Sequence, residues 1–300
     1  MTLAPIALFA YNRLVHTRRT VEALQKNELA AQSELYVFSD GPKAAIDEPE
    51  VEGVRNYLKD IAGFKSSTIN RQPRNLGLAQ SIIAGVTEVC QRHGRVIVVE
   101  DDLVTAPFFL RYMNEALALY ENDPEVISIH GYVYPVKAVL PETFFLKGAD
   151  CWGWATWQRG WKLFNPDGRR LLDELEKKNL TTEFDFNGNY AYTEMLRQQI
   201  AGKNNSWAIR WYASAFLENR LTLYPGHSLV QNIGHDSSGA NCGASTAFDV
   251  GLADRPIQIN RLPLVEHPLG RREFEYYFQS LRRPSLARRV RKLFSRSEVR

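Results

Sequence analysis

The chain has 300 residues, of which 44% are hydrophobic and 24% charged, and its formal net charge is +3. That composition predicts a globular protein with a sizeable core, and it excludes collagenous, disordered and disulfide-stapled chains. Three cysteines without a Cys-x-x-Cys pair predict reduced thiols and a cytoplasmic protein.

Strand-like apolar runs alternate with helical patterns along the first 131 residues. The strand-like runs recur about every thirty residues, the length of a strand–helix–strand unit, and cover residues 5–10, 34–39, 67–71, 96–99 and 126–129. Apolar residues recur at helical spacing between them, over residues 15–26, 48–61, 78–89 and 108–119. The alternation predicts an α/β fold, Rossmann-like, with a mostly parallel sheet and helices on both faces.

Past residue 131 the composition changes. All six tryptophans lie between residues 152 and 211, and helical patterns cover residues 167–178, 190–200 and 206–218. We expect this part to form a second lobe that shares the same sheet. The regular pattern is lost from Ala253 onward, which predicts an irregular extension at the end of the chain.

Polar residues follow the first four predicted strands. In an open α/β sheet, ligands bind at the carboxyl ends of the strands. The residues found there supply a guanidinium, a carboxylate, a tight turn and three acids: Asn12 and Arg13, then Asp40, then Asn75, then Glu100, Asp101 and Asp102. We therefore expect these four loops to share one ligand-binding rim.

The three consecutive acids are the sharpest feature of that rim. Adjacent carboxylates repel one another unless a cation or a hydrogen-bond donor compensates them. Their oxygens are hard ligands that suit Mg²⁺ or Mn²⁺, and such an ion can hold a diphosphate. The acids therefore predict a divalent-metal site. The alternative is a solvated acidic loop that caps the helix starting near Ala106.

The tryptophan-rich segment has two interpretations. Flat indole rings can lie against the C–H faces of a sugar, which would make Trp152, Trp154 and Trp207 ligand contacts. Alternatively, Trp154, Trp157 and Trp161 recur at helical spacing and form one buried face of a helix. Dinucleotide enzymes, P-loop kinases and zinc proteases are disfavoured, because their motifs are missing from the sequence.

Residues 98–109, which read Val-Val-Glu-Asp-Asp-Leu-Val-Thr-Ala-Pro-Phe-Phe, resemble GT-A nucleotide-sugar glycosyltransferases of the bacterial family-2-like kind. The chain is also distantly similar to N-acetylglucosaminyltransferase I, and the resemblance covers residues 5–243. It implies a GT-A-like fold in which Asp102 holds Mn²⁺ or Mg²⁺. By the same resemblance, Glu100 and Asp101 lie near the sugar and ribose of a nucleoside diphosphate sugar.

Further donor contacts follow from this resemblance. Arg13 matches an arginine that reaches the diphosphate, and Asp40 matches an aspartate that holds uracil, so a UDP-sugar is the expected donor. Both roles suit the chemistry, since Arg offers paired donors to phosphate and a carboxylate accepts the uracil N–H. Residues 224–239 resemble a segment that leads into a loop ordering over the donor. We assign Asn75 and Ser228 to the donor site as well.

The expected catalytic base is missing from its family position. Alignment with N-acetylglucosaminyltransferase I places that base near Ile209, where the sequence has no carboxylate. An inverting transferase needs a base within hydrogen-bond reach of the acceptor hydroxyl. The candidates elsewhere are Asp236 in the glycine-rich loop, Asp150 beside the tryptophans, and Glu194.

The resemblance implies an inverting, metal-dependent transfer of a sugar to a hydroxyl of a glycan or lipid-linked acceptor, as in cell-surface polysaccharide assembly. Residues 1–131 would bind the donor and residues 132–260 the acceptor, with residues 261–300 as an extension. Two alternatives stay open: a carbohydrate- or nucleotide-sugar-binding protein without activity, and a sugar nucleotidyltransferase. The missing base supports the first alternative.

The C-terminal tail is strongly basic. Residues 282–300 contain eight basic residues and one acid, which leaves the rest of the chain mildly acidic and disfavours nucleic acid as a partner. Apolar residues recur at helical spacing within residues 285–297. Such a basic amphipathic helix suits an anionic membrane surface, on the inner face of a membrane, whereas a solvated chain end is the alternative.

Overall fold

A computed structural model describes residues 2–239 and 243–282 of the chain. The strands are β1 Ile6–Ala10, β2 Glu34–Ser39, β3 Ser66–Arg71, β4 Arg95–Glu100, β5 Leu103–Thr105, β6 Val126–His130, β7 Thr143–Lys147, β8 Trp154–Trp157, β9 Leu221–Pro225 and β10 Val230–Asn232. The α-helices are α1 Leu14–Gln25, α2 Glu48–Lys59, α3 Leu78–His93, α4 Phe109–Leu119, α5 Gln158–Trp161, α6 Gly168–Lys177, α7 Thr181–Phe184, α8 Tyr192–Ile200, α9 Trp207–Leu217 and α10 Pro268–Arg282.

Eight of the strands form one sheet, in the order β3-β2-β1-β4-β8-β6-β9-β7. The strands β1 to β4 are mutually parallel, and β8 lies antiparallel between β4 and β6. The carboxyl ends of β1, β2, β3, β4 and β6 therefore meet at one edge of the sheet, where β8 begins. The predicted α/β class, with a large sheet flanked by helices, is confirmed.

The fully buried strands explain why this sheet forms. All five residues of β1 are buried, and the central residues of β4 are buried as well, so apolar side chains cover both faces of the sheet. Strands buried on both faces read as continuous apolar runs, which is typical of parallel sheets packed between helices. This core places the loops that follow β1, β2 and β4 at one edge.

Two expectations about the second half are corrected. Trp154 and Trp157 lie on strand β8 and not on a helix, because β8 pairs with both β4 and β6 inside the sheet. The irregular extension expected from Ala253 onward reaches only to His267, since α10 follows it and packs against β7. Its buried residues include Gly270, Phe274 and Phe278, and a methyl group at Gly270 would clash with the Phe144 ring.

The basic amphipathic helix predicted within residues 285–297 lies outside the described residues, which end at Arg282. Cys242 also lies outside them. Of the helices within the described ranges, none combines the length and the apolar character needed to cross a bilayer. Cys90 is a buried thiol, and burial raises its pKa to about 12.

Candidate active site

Arg13 and the acids after β4 form a compact charged cluster at the carboxyl edge of the sheet. One nitrogen of the guanidinium, Nη2, lies 2.5 Å from Asp101 Oδ1 and 2.9 Å from Asp102 Oδ2. Arg13 precedes α1 in the loop after β1, so two adjacent parallel strands bring the three side chains together. The structure thus joins Arg13 to two acids that lie almost 90 positions further along the sequence.

Burial and neighbouring charges shift the pKa values of this cluster. Burial raises the pKa of Asp101 to about 6, the Asp102 carboxylate adds to the rise, and Arg13 opposes it. Burial and the two neighbouring acids also raise the pKa of Glu100 well above its ordinary value. Burial lowers the pKa of Arg13, but the two aspartates raise it more, so the guanidinium stays charged. The arginine thus supplies the compensating cation that the three acids require.

Backbone contacts fix the acidic loop in place. The Thr20 hydroxyl of α1 donates to the Asp101 carbonyl at 2.8 Å, and the Ile233 amide donates to the Asp102 carbonyl at 2.8 Å. The short strand β5 that follows the acids pairs antiparallel with β10. The acids are therefore held between α1 on one side and the segment after β9 on the other.

The glycine-rich segment 234–239 covers this cluster. Gly234 lies so close to Asp102 that a β-carbon there would stand 2.1 Å from Asp102 Oδ2. A β-carbon on Gly239 would stand 3.2 Å from a guanidinium nitrogen of Arg13. Between them, Asp236 Oδ2 lies 3.1 Å from His16 Nε2 of α1. The segment is thus tied to α1 over the charged cluster.

An open groove of about 520 Å³ lies beside Arg13. It is bounded by the start of α1, the start of α2 and the glycine-rich segment: Asn12, Arg13, His16, Pro49, Gly53 and Ser238. Its volume lies within the range of small-ligand pockets. The first turn of α1 has no side-chain cap, so its amides face this side of the molecule without a protein acceptor from a capping residue.

Asp40 connects two loops at this edge of the sheet. It is 6% exposed, and its carboxylate accepts hydrogen bonds from the amides of Gly41, Leu76 and Gly77 at 2.8 to 2.9 Å. Asn75 donates to the Gly41 carbonyl at 2.9 Å. Asp40 therefore joins the loop after β2 to the loop before α3, and it brings Asn75 to the same rim.

The tryptophans predicted to bind the acceptor differ in how deeply they are buried. Trp154 is 0% exposed and Trp207 is 3% exposed, and their rings stack with centroids 5.5 Å apart in a core cluster with Trp161 and Trp211. The assignment of these two rings as ligand contacts is corrected, because neither has a face that a sugar could reach. Trp152 is partly exposed and meets the His235 ring, with centroids 5.4 Å apart.

Ser228 is also part of the core. Its hydroxyl donates to the Val230 carbonyl at 2.7 Å and accepts from the Val133 amide at 3.3 Å. The residue is 3% exposed. Its donor-binding assignment is corrected: the hydroxyl holds the turn before β10 and does not face a ligand.

The candidate bases occupy three different environments. Asp236 is half exposed, and hydrogen bonds from Ser238 together with His16 lower its pKa to about 2. Glu194 lies on the exposed side of α8, where Gln198 donates to it at 3.1 Å. Asp150 lies between β7 and β8 at the carboxyl edge of the sheet, with a side chain 19% exposed. Ile209, the position of the missing base, is 1% exposed in α9.

The acids fit a divalent metal that is coordinated partly by the protein and partly by a substrate. Asp101 Oδ2 is buried and has no hydrogen-bond partner among the described residues, so acceptor capacity remains beside Asp102. Across residues 2–239 and 243–282, no group of three or more metal-ligating side chains is preformed. Mg²⁺ is commonly held by one or two carboxylates together with substrate phosphates, and this arrangement needs no complete protein cage.

Sequence reasoning missed several contacts of this rim. His16 and Thr20 lie on α1 at helical spacing and carry no motif, so only the structure reveals their contacts with Asp236 and Asp101. His130 is the last residue of β6, whose carboxyl end lies at the same edge. Examining the residue at the end of the fifth predicted strand, as was done for the first four, would have found it.

Comparisons with known proteins give structural likenesses only. No family model matches the sequence, and curated proteins give no significant match. The mannosyltransferase PcManGT from Pyrobaculum calidifontis, in complex with GDP-Man and Mn²⁺, aligns over 44% of this chain and 36% of its own, with 12% identity and a TM-score of 0.33. TarS 1–349 of S. aureus aligns over 75% of this chain and 59% of its own, with 10% identity and a TM-score of 0.38.

A second TarS structure from S. aureus aligns over 48% of this chain and 24% of its own, with 14% identity and a TM-score of 0.30. The chain therefore spans between about a quarter and three fifths of the length of these solved structures.

Proposed function

We propose that the protein is a glycosyltransferase that moves a sugar from a nucleoside diphosphate sugar to a hydroxyl acceptor, with inversion at the anomeric carbon. The observation that carries this proposal is the cluster of Arg13, Asp101 and Asp102 beside an open groove. It combines a phosphate-binding guanidinium with carboxylates that suit a divalent cation, at the ligand-binding edge of the sheet. The resemblance of residues 98–109 to GT-A transferases supports the same conclusion.

In this proposal the donor lies along the rim formed by the first four strands. Arg13 turns its paired N–H donors to the diphosphate. The Asp40 carboxylate, which the resemblance assigns to uracil, accepts hydrogen bonds from three backbone amides of its own protein. It would therefore act through the loop that carries Asn75, and this loop would bound the site of a uracil base. Glu100 and Asp101 lie on the side of the ribose and the transferred sugar.

By its resemblance to the last acid of the GT-A motif, Asp102 would hold Mn²⁺ or Mg²⁺, and the unpartnered Oδ2 of the adjacent Asp101 offers a further oxygen. When bound, such a cation would offset the charge of the leaving diphosphate. The glycine-rich segment over Arg13 and Asp102 would exclude water from the donor. Trp152 is partly exposed and would present the accessible part of its ring to a sugar of a glycan or lipid-linked acceptor.

Release of the nucleoside diphosphate tests this proposal. UDP- and GDP-linked hexoses would be incubated with the protein, Mn²⁺ and a panel of mono- and disaccharides, and free UDP or GDP would be measured. A transferase releases nucleoside diphosphate when both partners are present. Binding of the nucleotide without release for any acceptor would instead support the non-catalytic binding protein, which the buried Ile209 favours. Pyrophosphate released from a nucleoside triphosphate and a sugar phosphate would indicate a nucleotidyltransferase.

A further inference from the structure

A second acidic centre lies at the same edge of the sheet, on the side away from Arg13. It consists of Asp150, just before β8, and His130, the last residue of β6. His130 pairs with Trp154 across these two strands, so the sheet fixes both residues near the carboxyl edge. The centre is separate from the donor contacts described above.

The polar atoms of this centre are incompletely satisfied. Asp150 Oδ1 accepts from the Cys151 amide at 2.8 Å, and Asp150 Oδ2 lies 3.7 Å from His130 Nε2. His130 is 0% exposed, and neither of its ring nitrogens has a hydrogen-bond partner within the described part of the chain. Most buried polar groups are paired, whereas the imidazole keeps an unused ring nitrogen close to the Asp150 carboxylate.

The surroundings keep His130 neutral and leave Asp150 reachable. Burial lowers the pKa of His130, and the Asp150 carboxylate opposes that effect. A neutral imidazole has one N–H donor, which a small movement would bring within hydrogen-bond distance of Asp150. The Asp150 side chain is 19% exposed, so a hydroxyl from solvent can approach its outer side.

An aromatic wall encloses the inner side of this centre. A cavity with room for about one water molecule separates Asp150 from the rings of Tyr134, Tyr192, Tyr212 and Tyr224. Burial raises the pKa of each of these tyrosines well above its ordinary value, and the nearby Asp150 adds to the rise. The tyrosines therefore stay neutral, and Asp150 supplies the carboxylate of this cavity.

A chain of contacts connects Asp150 to the donor side. Trp152, two residues further on, packs against His235 of the glycine-rich segment. The preceding residue of that segment, Gly234, lies against the Asp102 carboxylate. An acceptor resting on Trp152 would thus lie between Asp150 and the donor rim. The other base candidates lack this placement, since Asp236 is paired with His16 and Glu194 lies on the outer side of α8.

We propose that Asp150 is the general base of the transfer and that His130 is its positioning residue; this inference rests on the proposed function. The acceptor hydroxyl gives its proton to Asp150, and its oxygen forms a bond to the anomeric carbon. The bond between that carbon and the diphosphate oxygen breaks, and its electron pair leaves with the diphosphate. The His130 N–H holds the carboxylate towards the hydroxyl.

The first test compares Asp150→Asn with Asp173→Asn, a matched change on the exposed side of α6. Removal of a general base lowers turnover by roughly 100-fold or more. We expect that loss of nucleoside diphosphate release in Asp150→Asn, with the thermal shift produced by UDP or GDP and Mn²⁺ unchanged. Asp173→Asn should keep the activity of the wild type. Turnover of Asp150→Asn within a few-fold of wild type would overturn the proposal.

A second variant separates loss of the base from a folding defect. Asp150→Ala leaves space for a small anion, so added formate can accept the proton in place of the missing carboxylate. We expect formate to restore part of the turnover of Asp150→Ala and to leave Asp150→Asn inactive. If formate restores nothing although the nucleotide still binds, Asp150 is not the base.

The positioning role of His130 is tested by two replacements. His130→Gln keeps an N–H donor, whereas His130→Phe keeps the ring volume without one. We expect His130→Phe to lower kcat with little change in the KM of the donor, and His130→Gln to recover part of that loss. Equal kcat values in the two variants would contradict the role. A wild-type protein that binds no nucleotide would instead refute the proposed function, and the assignment of Asp150 with it.

Discussion

The two acidic centres at the edge of the sheet differ in the groups that compensate their negative charge. Asp101 and Asp102 share one guanidinium at 2.5 and 2.9 Å, and a glycine-rich segment covers them. Asp150 has one backbone amide and a histidine at 3.7 Å. In the first centre Arg13 occupies one oxygen of each aspartate, and these two oxygens must exchange partners to bind a ligand. Within the described residues, no arginine engages the Asp150 carboxylate of the second centre.

This difference suggests how the two centres divide the proposed reaction. In the first centre the arginine occupies the carboxylates that a metal would need, so nucleotide and metal should bind together. In the proposed reaction, the nucleoside diphosphate would draw Arg13 away, and Asp102 would become available to the cation. The second centre would need no such exchange, because the Asp150 side chain is already partly exposed on the proposed acceptor side.

The largest effect is expected from Asp102→Asn, which removes the charge that would hold the metal. The amide is a poor ligand for a hard cation, so Mn²⁺ should no longer increase the affinity for UDP or GDP. Isothermal titration with Mn²⁺ and with EDTA measures this directly. An unchanged metal dependence would remove Asp102 from the metal site.

Replacing Arg13 should allow Mn²⁺ to bind without the nucleoside diphosphate. Charge-assisted hydrogen bonds are worth about 1.5–3 kcal/mol, so Arg13→Gln should weaken nucleoside diphosphate binding by roughly 10- to 100-fold. Because Asp101 and Asp102 lose their cation, the variant should bind Mn²⁺ without nucleotide. The electron paramagnetic resonance signal of free Mn²⁺ reports this binding. Metal binding that stays as weak as in the wild type would argue against the exchange.

The packing of the glycine-rich segment on Asp102 can be tested at Gly234, where the segment lies closest to the carboxylate. A β-carbon in Gly234→Ala would stand 2.1 Å from Asp102 Oδ2, whereas nothing lies within 4 Å of the equivalent atom in Gly251→Ala. Overpacking costs about 1–3 kcal/mol, so only the first variant should unfold at a lower urea concentration. Equal midpoints for the two variants would show that the segment does not rest on Asp102.

The smallest effect concerns the pH dependence of stability. Burial lowers the pKa of His130 below its ordinary value of 6.5, so below about pH 6.5 the unfolded chain takes up the proton more readily. The free energy of unfolding should therefore fall as the pH falls through this range. His130→Phe should make the fall shallower, as measured by urea unfolding at several pH values. The same slope in both proteins would mean that the imidazole does not titrate in this way.

The first half of the fold could be read from the sequence because its elements are continuous and periodic. The strand predicted at residues 34–39 coincides with β2, and the helix predicted at residues 78–89 begins where α3 begins. Parallel pairing then brings the loops that carry Arg13 and Asp102 together, as expected.

The second half could not be read in the same way. Its strands are short or pair antiparallel across the sheet, so Trp154 and Trp157 showed a helical spacing although they lie on β8. Burial is set by tertiary packing, which is why Trp207 looked like a ligand contact and is core. The closeness of Gly234 to Asp102 depends on backbone geometry that no sequence pattern predicts.

The most direct measurement is a thermal-shift panel of UDP, GDP and CMP, each with Mn²⁺ and with EDTA. A ligand that binds the native state alone must raise its melting temperature. The account predicts a rise for one nucleoside diphosphate that requires Mn²⁺. No rise with any of these nucleotides, at millimolar ligand and metal, would contradict a donor site at the rim of Arg13 and Asp102.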